Sequence, residues 1–152
     1  PIVILGTLLG AIRSNGFAGR PADIDFLIIE QNTEEFIEIL RREGFRVDVR
    51  RKYETGHVIK VTKFGPPVDV IVSETEYFEK ERILVFRKLN NHKVFSVLYE
   101  DYENKCISNI YAVPVFVPGN AQKYLNYWYG DDWHIPQVMR PKSNEPTIMK
   151  ER

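Results

Sequence analysis

A chain of 152 residues, 43% hydrophobic and 28% charged, has the size and composition of one globular domain with one core. Its 21 basic and 21 acidic residues cancel, so no overall field draws nucleic acid or an anionic membrane to the surface, and any anion site has to be local. A single cysteine, Cys106, excludes an internal disulfide framework and a cysteine-rich metal knot, and no apolar run approaches the roughly 18 residues of a membrane span.

No segment has the charged, apolar and small-residue order of a signal peptide. The chain opens on Pro1 and runs straight into Ile2-Val3-Ile4-Leu5, which reads as a sequence whose upstream residues, with any targeting segment, have been left out. A cytoplasmic location is the expectation for the part at hand.

The apolar run at 2–5, stopped by Gly6, predicts a strand buried on both faces. Residues 7–14 predict a short helix, because Leu8, Leu9, Ala11 and Ile12 include the i, i+3 and i, i+4 spacings of one face and Asn15-Gly16 supplies a stop. After a loop with Gly19 and Pro21, Asp23-Ile24-Asp25-Phe26-Leu27-Ile28-Ile29 predicts a second strand, with its two aspartates on one side. Asn32-Thr33-Glu34-Glu35 reads as a helix start, with Asn32 as cap and Glu35 reaching back. Phe36, Ile37 and Leu40 form the buried face of that helix, and Gly44 ends it.

Strands follow at 45–52, 57–64 and 68–73, the last two separated by Gly65-Pro66-Pro67. Residues 83–88 and 94–99 flank Asn90-Asn91 as a hairpin. The run 107–117 contains Pro114 and is expected as a single edge or irregular strand. Asn120 stands where it can cap a last helix at 121–129, with Tyr124, Leu125 and Trp128 on one face and Gly130 beyond it. The strands from 2 to 73 should form one mixed sheet carrying the helices near 33–43 and 120–129. The organisation expected is one domain over 1–136 and an irregular tail over 137–152.

Aspartates at i and i+2 on a strand project to one face, where their oxygens can share one hard cation or bridge two. Asp23 and Asp25 have that relation. An acid pair on an exposed strand end has the same spacing, so context has to decide. Gly6-Thr7, between a strand and a helix, offers a close backbone approach, a hydroxyl and free helix-start N–H groups to a phosphate, where a plain strand-to-helix turn is the other option. Arg13 further along either adds a guanidinium or lies on a solvated helix face. Asp69, alone among Val68, Val70, Ile71 and Val72, is either on an exposed sheet face or in a site.

Gly6-Thr7-Leu8-Leu9-Gly10-Ala11-Ile12-Arg13, followed by Gly16-Phe17 and then Asp23-Ile24-Asp25, resembles the signature of the LicD/fukutin family. Members of that family read as a GTLLGA-x-R block, a GF pair and an acid-rich DDDID-like stretch at the same ungapped spacing. Val113-Pro114-Val115, Tyr124-Leu125 and Tyr129-Gly130-Asp131-Asp132-Trp133 are similar to the family's closing pattern. The resemblance covers residues 2–29 and 111–136. It implies a nucleotidyltransferase-like α/β (α+β) fold, a mixed β-sheet with flanking helices. The implied reaction moves a phosphorylated alcohol, such as phosphocholine or a phosphopentitol, from a CDP-activated donor to a sugar hydroxyl of a glycan.

Carried over by position, Asp23 and Asp25 would ligate Mg²⁺ or Mn²⁺, and Gly6, Thr7 and Arg13 would contact the donor phosphates. Asp69 would be the third carboxylate, completing the metal site or taking the acceptor's proton. The chain departs from the family at Arg20-Pro21-Ala22, where relatives carry an aromatic residue and two further acids.

The other candidates carry less chemistry. His57, His92, His134 and Cys106 have no zinc spacing and are expected in structural or surface roles. Trp128 and Trp133 with Tyr124, Tyr127 and Tyr129 either stack a base or a quaternary ammonium group or form a packed helix face. Glu79-Lys80-Glu81-Arg82 is expected as a solvated face. Two rivals share the site's parts: a nucleotidyltransferase placing a nucleoside monophosphate on a small molecule, and a non-catalytic nucleotide-binding module.

Overall fold

The computed structural model describes residues 1–19, 23–50, 53–88 and 94–136. Arg20-Pro21-Ala22, the Asn90-Asn91 turn, His92 and the tail over 137–152 lie outside the described residues. The fold is mixed α+β with a mostly antiparallel sheet. No helix among the described residues is long and apolar enough to cross a membrane.

Strand β1 (Ile2–Val3) is shorter than the apolar run that announces it, because the backbone turns at Leu5, where φ is 50°. Helix α1 (Leu5–Ser14) starts there, two residues earlier than its side-chain pattern indicates. It ends as expected at Asn15, which adopts the left-handed conformation. The chain then folds back across the helix so closely that a Cβ on Gly10 would stand 2.3 Å from the Gly16 carbonyl oxygen and 2.6 Å from the Ala18 nitrogen. Only glycine fits that crossing.

Strand β2 (Ile24–Ile29) pairs antiparallel with β1. It leads through a 3-10 turn (Glu30–Asn32) into α2 (Thr33–Arg42). Asn32 is the last residue of that turn and directly precedes the helix. The end of α2 follows expectation: Gly44 has φ 79°, its N–H bonds Arg41 O, and Phe45 N–H bonds Leu40 O, the paired closure of a Schellman motif.

Strands β3 (Arg46–Arg50), β4 (Tyr53–Thr55), β5 (His57–Thr62) and β6 (Val68–Phe78) follow. β6 is the spine of the sheet. Its first half lies between β2, parallel, and β5, antiparallel, and β5 in turn pairs with β3. Its second half runs on to Phe78 and pairs with β7 (Glu81–Lys88), which also binds β4 and β8 (Val94–Leu98). Glu79 and Lys80 form the two-residue link with φ of 46° and 74°, as a type I′ hairpin turn requires. Part of the expected solvated face is thus a turn. Arg82 beyond it lies over the Tyr99 ring at 3.6 Å.

Helix α3 (Tyr99–Glu103) precedes a hairpin of β9 (Cys106–Ile110) and β10 (Val113–Val117). The run 107–117 is therefore two strands and not one. The chain reverses at Tyr111, φ 54°, and Pro114 sits on a two-stranded ribbon where its missing N–H is tolerated. Helix α4 (Ala121–Tyr129) has Asn120 at its N-cap position with no side-chain capping bond, and Gly130 beyond it at φ 85°.

The sheet is covered on both faces. Ile28, Ile59, Val61, Val70 and Val72 pack against Phe36, Ile37 and Leu40 of α2. On the opposite face Leu27, Ile29, Val58 and Ile71 pack with Leu8 and Ala11 of α1 and Tyr124, Leu125 and Trp128 of α4. Tyr124 and Trp128 are therefore core, their rings 5.6 Å apart, as the packed-face option has it.

Candidate metal centre

The α1-covered face loses its apolar character at the N-terminal ends of β2 and β6, and the aspartates stand there. Asp25 is held through its backbone on both sides. Its N–H donates to Thr7 Oγ1 at 2.9 Å, and its carbonyl accepts from Ile4 N–H at 3.2 Å. The turn at Leu5 makes this clamp possible, because it brings the last extended residue and the first turn of α1 to the same strand. A non-glycine residue at positive φ is a strained conformation held by its surroundings, and such residues gather at functional sites.

The parallel register places Asp69 directly opposite Asp25. Asp23, two residues before Asp25, has its side chain on the same side. One carboxylate oxygen from each of Asp23, Asp25 and Asp69 lies within 4.8 Å of the other two. Asp69 does not lie on an exposed sheet face. It shares its face with the core residue Ile71, and it is buried, with 8% exposure. Its Oδ1 is shut off from solvent and, among the described residues, has no hydrogen-bond partner. A buried anionic oxygen without a donor is costly.

Lys60 is opposite Asp69 on the next strand, β5, with its Nζ 3.9 Å from Asp69 Oδ1, beyond hydrogen-bond range. Nothing in the run 58–64 marks Lys60 out, and cross-strand register alone brings it beside Asp69. Beyond Lys60 the row continues to Asp48 on β3, which is bonded to Arg50 Nε at 2.6 Å.

The donor set fits a hard divalent cation. All ligand atoms are carboxylate oxygens. Two oxygens on opposite sides of one Mg²⁺ stand ~4.2 Å apart at ~2.1 Å per bond, so a span of 4.8 Å closes on one ion with a small inward shift or accommodates a pair ~4 Å apart.

The expected phosphate-binding residues divide. Gly6 lies at the exposed first turn of α1, with nothing within 4 Å of where a side chain would be. The first intrahelical bond there is Leu8 N–H to Ile4 O, so the N–H groups of Leu5, Gly6 and Thr7 precede the helical ladder. Thr7 is buried, and its hydroxyl oxygen positions Asp25. Arg13 lies six residues beyond Thr7, ~9 Å farther along the helix axis. Its guanidinium donates to Trp133 O at 3.4 Å.

The two sequence blocks near the ends of the chain meet in space. Besides Arg13 and Trp133, the Phe17 and Tyr111 rings pack edge to face at 5.8 Å, Tyr111 N–H bonds Asn15 O, and Ser108 Oγ donates to Ala11 O. Cys106 and His134 are exposed and His57 is partly buried. Among the described residues, the one group of three or more metal-ligating side chains is the three aspartates. A separate groove of about 390 Å³ between β9, β10 and the start of α4 is lined by Ile12, Ser108 and Asn120 among others, and by none of the three aspartates. No protein-family model matches this chain, and no curated protein sequence matches it.

Proposed function

We propose that the chain is a metal-dependent phosphotransferase of the LicD type, moving a phosphorylated alcohol such as phosphocholine or a phosphopentitol from a CDP-activated donor to a hydroxyl of a glycan. The observation that carries the metal-dependent part is the orphaned, buried Oδ1 of Asp69 within 4.8 Å of the carboxylates of Asp23 and Asp25. The choice of reaction rests on the motif resemblance, whose two blocks pack against each other through Arg13 and Trp133.

In this reading Asp23, Asp25 and Asp69 hold Mg²⁺ or Mn²⁺, which screens phosphate oxygens from an incoming nucleophile. Thr7 and Ile4 fix the backbone of Asp25, so that carboxylate is oriented before a ligand arrives. The open first turn of α1 at Gly6 leaves N–H groups for a donor phosphate. Proton removal from the acceptor falls to a carboxylate of the cluster that is not fully engaged by metal.

Two measurements test this. Calorimetric titration of CDP with Mn²⁺ and with chelator should give binding in the first case and little in the second. Incubation with CDP-choline or a CDP-pentitol and a glycan acceptor should then release CMP. Pyrophosphate released from a nucleoside triphosphate would instead place the chain among nucleotidyltransferases, and CDP binding without any turnover would leave a binding module.

A further inference from the structure

We infer that Lys60 is a countercharge that changes partners: it balances Asp69 while the centre is metal-free and turns to a phosphoryl oxygen of a diphosphate ligand once metal is bound. The inference rests on the metal-centre reading above.

Cross-strand geometry puts Lys60 between two aspartates, Asp69 on β6 and Asp48 on β3. Asp48 is already bonded to Arg50 at 2.6 Å, so the ammonium is left to Asp69, 3.9 Å from the oxygen that no donor among the described residues satisfies. That separation gives Coulombic attraction without a hydrogen bond. The side chain is one-third exposed, so its flexible stem keeps room to swing.

A divalent ion bonded to Asp69 Oδ1 at ~2.1 Å stands no more than ~6 Å from the ammonium where it now lies. Two positive charges on one side and one on the other then repel, and Asp69 no longer holds Lys60. The nearest new anion is the diphosphate drawn to the same metal, and an ammonium is a natural point-charge contact for it. Lys60 therefore opposes metal binding and assists diphosphate binding. A purely structural lysine would do neither.

The opposite signs make the test. Mn²⁺ titration by calorimetry on wild type, Lys60→Met and Lys60→Arg should show roughly tenfold tighter metal binding in Lys60→Met, the size of the removed repulsion at water-like dielectric. With Mn²⁺ saturating, inorganic pyrophosphate and CDP should each bind Lys60→Met roughly tenfold or more weakly, as expected when one charge-assisted bond is lost. Lys60→Arg should retain most of both wild-type values. Lys60→Gln gives the same comparison if the Met variant does not fold. Wild type that binds Mn²⁺ beside a neutral variant that binds it no tighter, or that binds pyrophosphate equally well, overturns the role of Lys60 and leaves the metal centre standing. Wild type that binds no Mn²⁺ removes the metal centre and this inference with it.

Discussion

Replacing Asp69 by Asn separates a metal ligand from a structural carboxylate, because the two roles move stability in opposite directions. Asn preserves volume and removes one charge. Among the described residues, that charge faces two carboxylates within 4.8 Å and one ammonium at 3.9 Å. Each pair interaction is worth roughly 1 kcal/mol at the dielectric of water and roughly 3.5–4 kcal/mol at an effective value of about 20. Two repulsions outweigh one attraction, and the burial of Asp69 adds a desolvation cost of the same sign. Allowing for solvent screening at the outer carboxylates, the metal-free Asp69→Asn protein should be more stable by about 1 kcal/mol. Metal reverses the ranking. A cation at 100 times its dissociation constant stabilises wild type by about 2.7 kcal/mol, and that increment should fall toward zero in the variant. Urea denaturation of both proteins, with chelator and with Mn²⁺, reads all four values. A variant more than about 1 kcal/mol less stable than wild type in chelator, with the metal increment intact, would refute the reasoning.

Three further outcomes follow from other parts of the molecule. Gly10→Ala should destabilise by about 3 kcal/mol in urea denaturation, since its Cβ meets backbone atoms of Gly16 and Ala18 that cannot rotate away; an unchanged midpoint would mean that the loop crosses α1 elsewhere. Thr7→Val removes the acceptor for Asp25 N–H and should cost about 1–3 kcal/mol and weaken Mn²⁺ binding, while Thr7→Ser restores both; equal metal affinity in the Val and Ser variants would show that the clamp does not position Asp25. Burial, reinforced by the hydrogen bond to Asp101, raises the phenol of Tyr124, and burial pushes that of Tyr127 up to about 12 from 10.0. The unfolded chain therefore releases these protons first, so stability is complete below pH 10 and declines from about 10 to about 12 and beyond. Tyr124→Phe should make that decline shallower in denaturation measured across pH.

Local features of this chain were legible because their physics is local. The i and i+2 spacing of Asp23 and Asp25 puts both carboxylates on one face of any strand, whatever that strand pairs with. Asn15, Gly44 and Gly130 mark helix ends because residues tolerant of the left-handed region suit those positions, and all three have positive φ in the structure. The turn at Glu79-Lys80 was invisible for the converse reason. Two ordinary residues occupy a type I′ geometry that sequence normally announces with Asn-Gly, so β6 was expected to stop near 73 and instead continues to Phe78. The run 107–117 reads as one strand because the link that divides it, Tyr111-Ala112, contains no turn-forming residue either.

Register, by contrast, is a property of the folded sheet. Alternation leaves Asp69 either on an open face or in a site, and no property of residues 68–73 chooses between them. The parallel pairing of β2 with β6 sets Asp69 opposite Asp25, and the antiparallel pairing of β5 sets Lys60 beside Asp69. The same holds for Thr7, whose hydroxyl is a plausible phosphate contact until the turn at Leu5 swings it against the backbone of Asp25. Residue types and their spacing are enough to say which positions can carry charge and which way each faces along its own strand. Contacts between segments far apart in the chain depend on how strands align and helices dock, and those follow from burying the whole apolar surface at once.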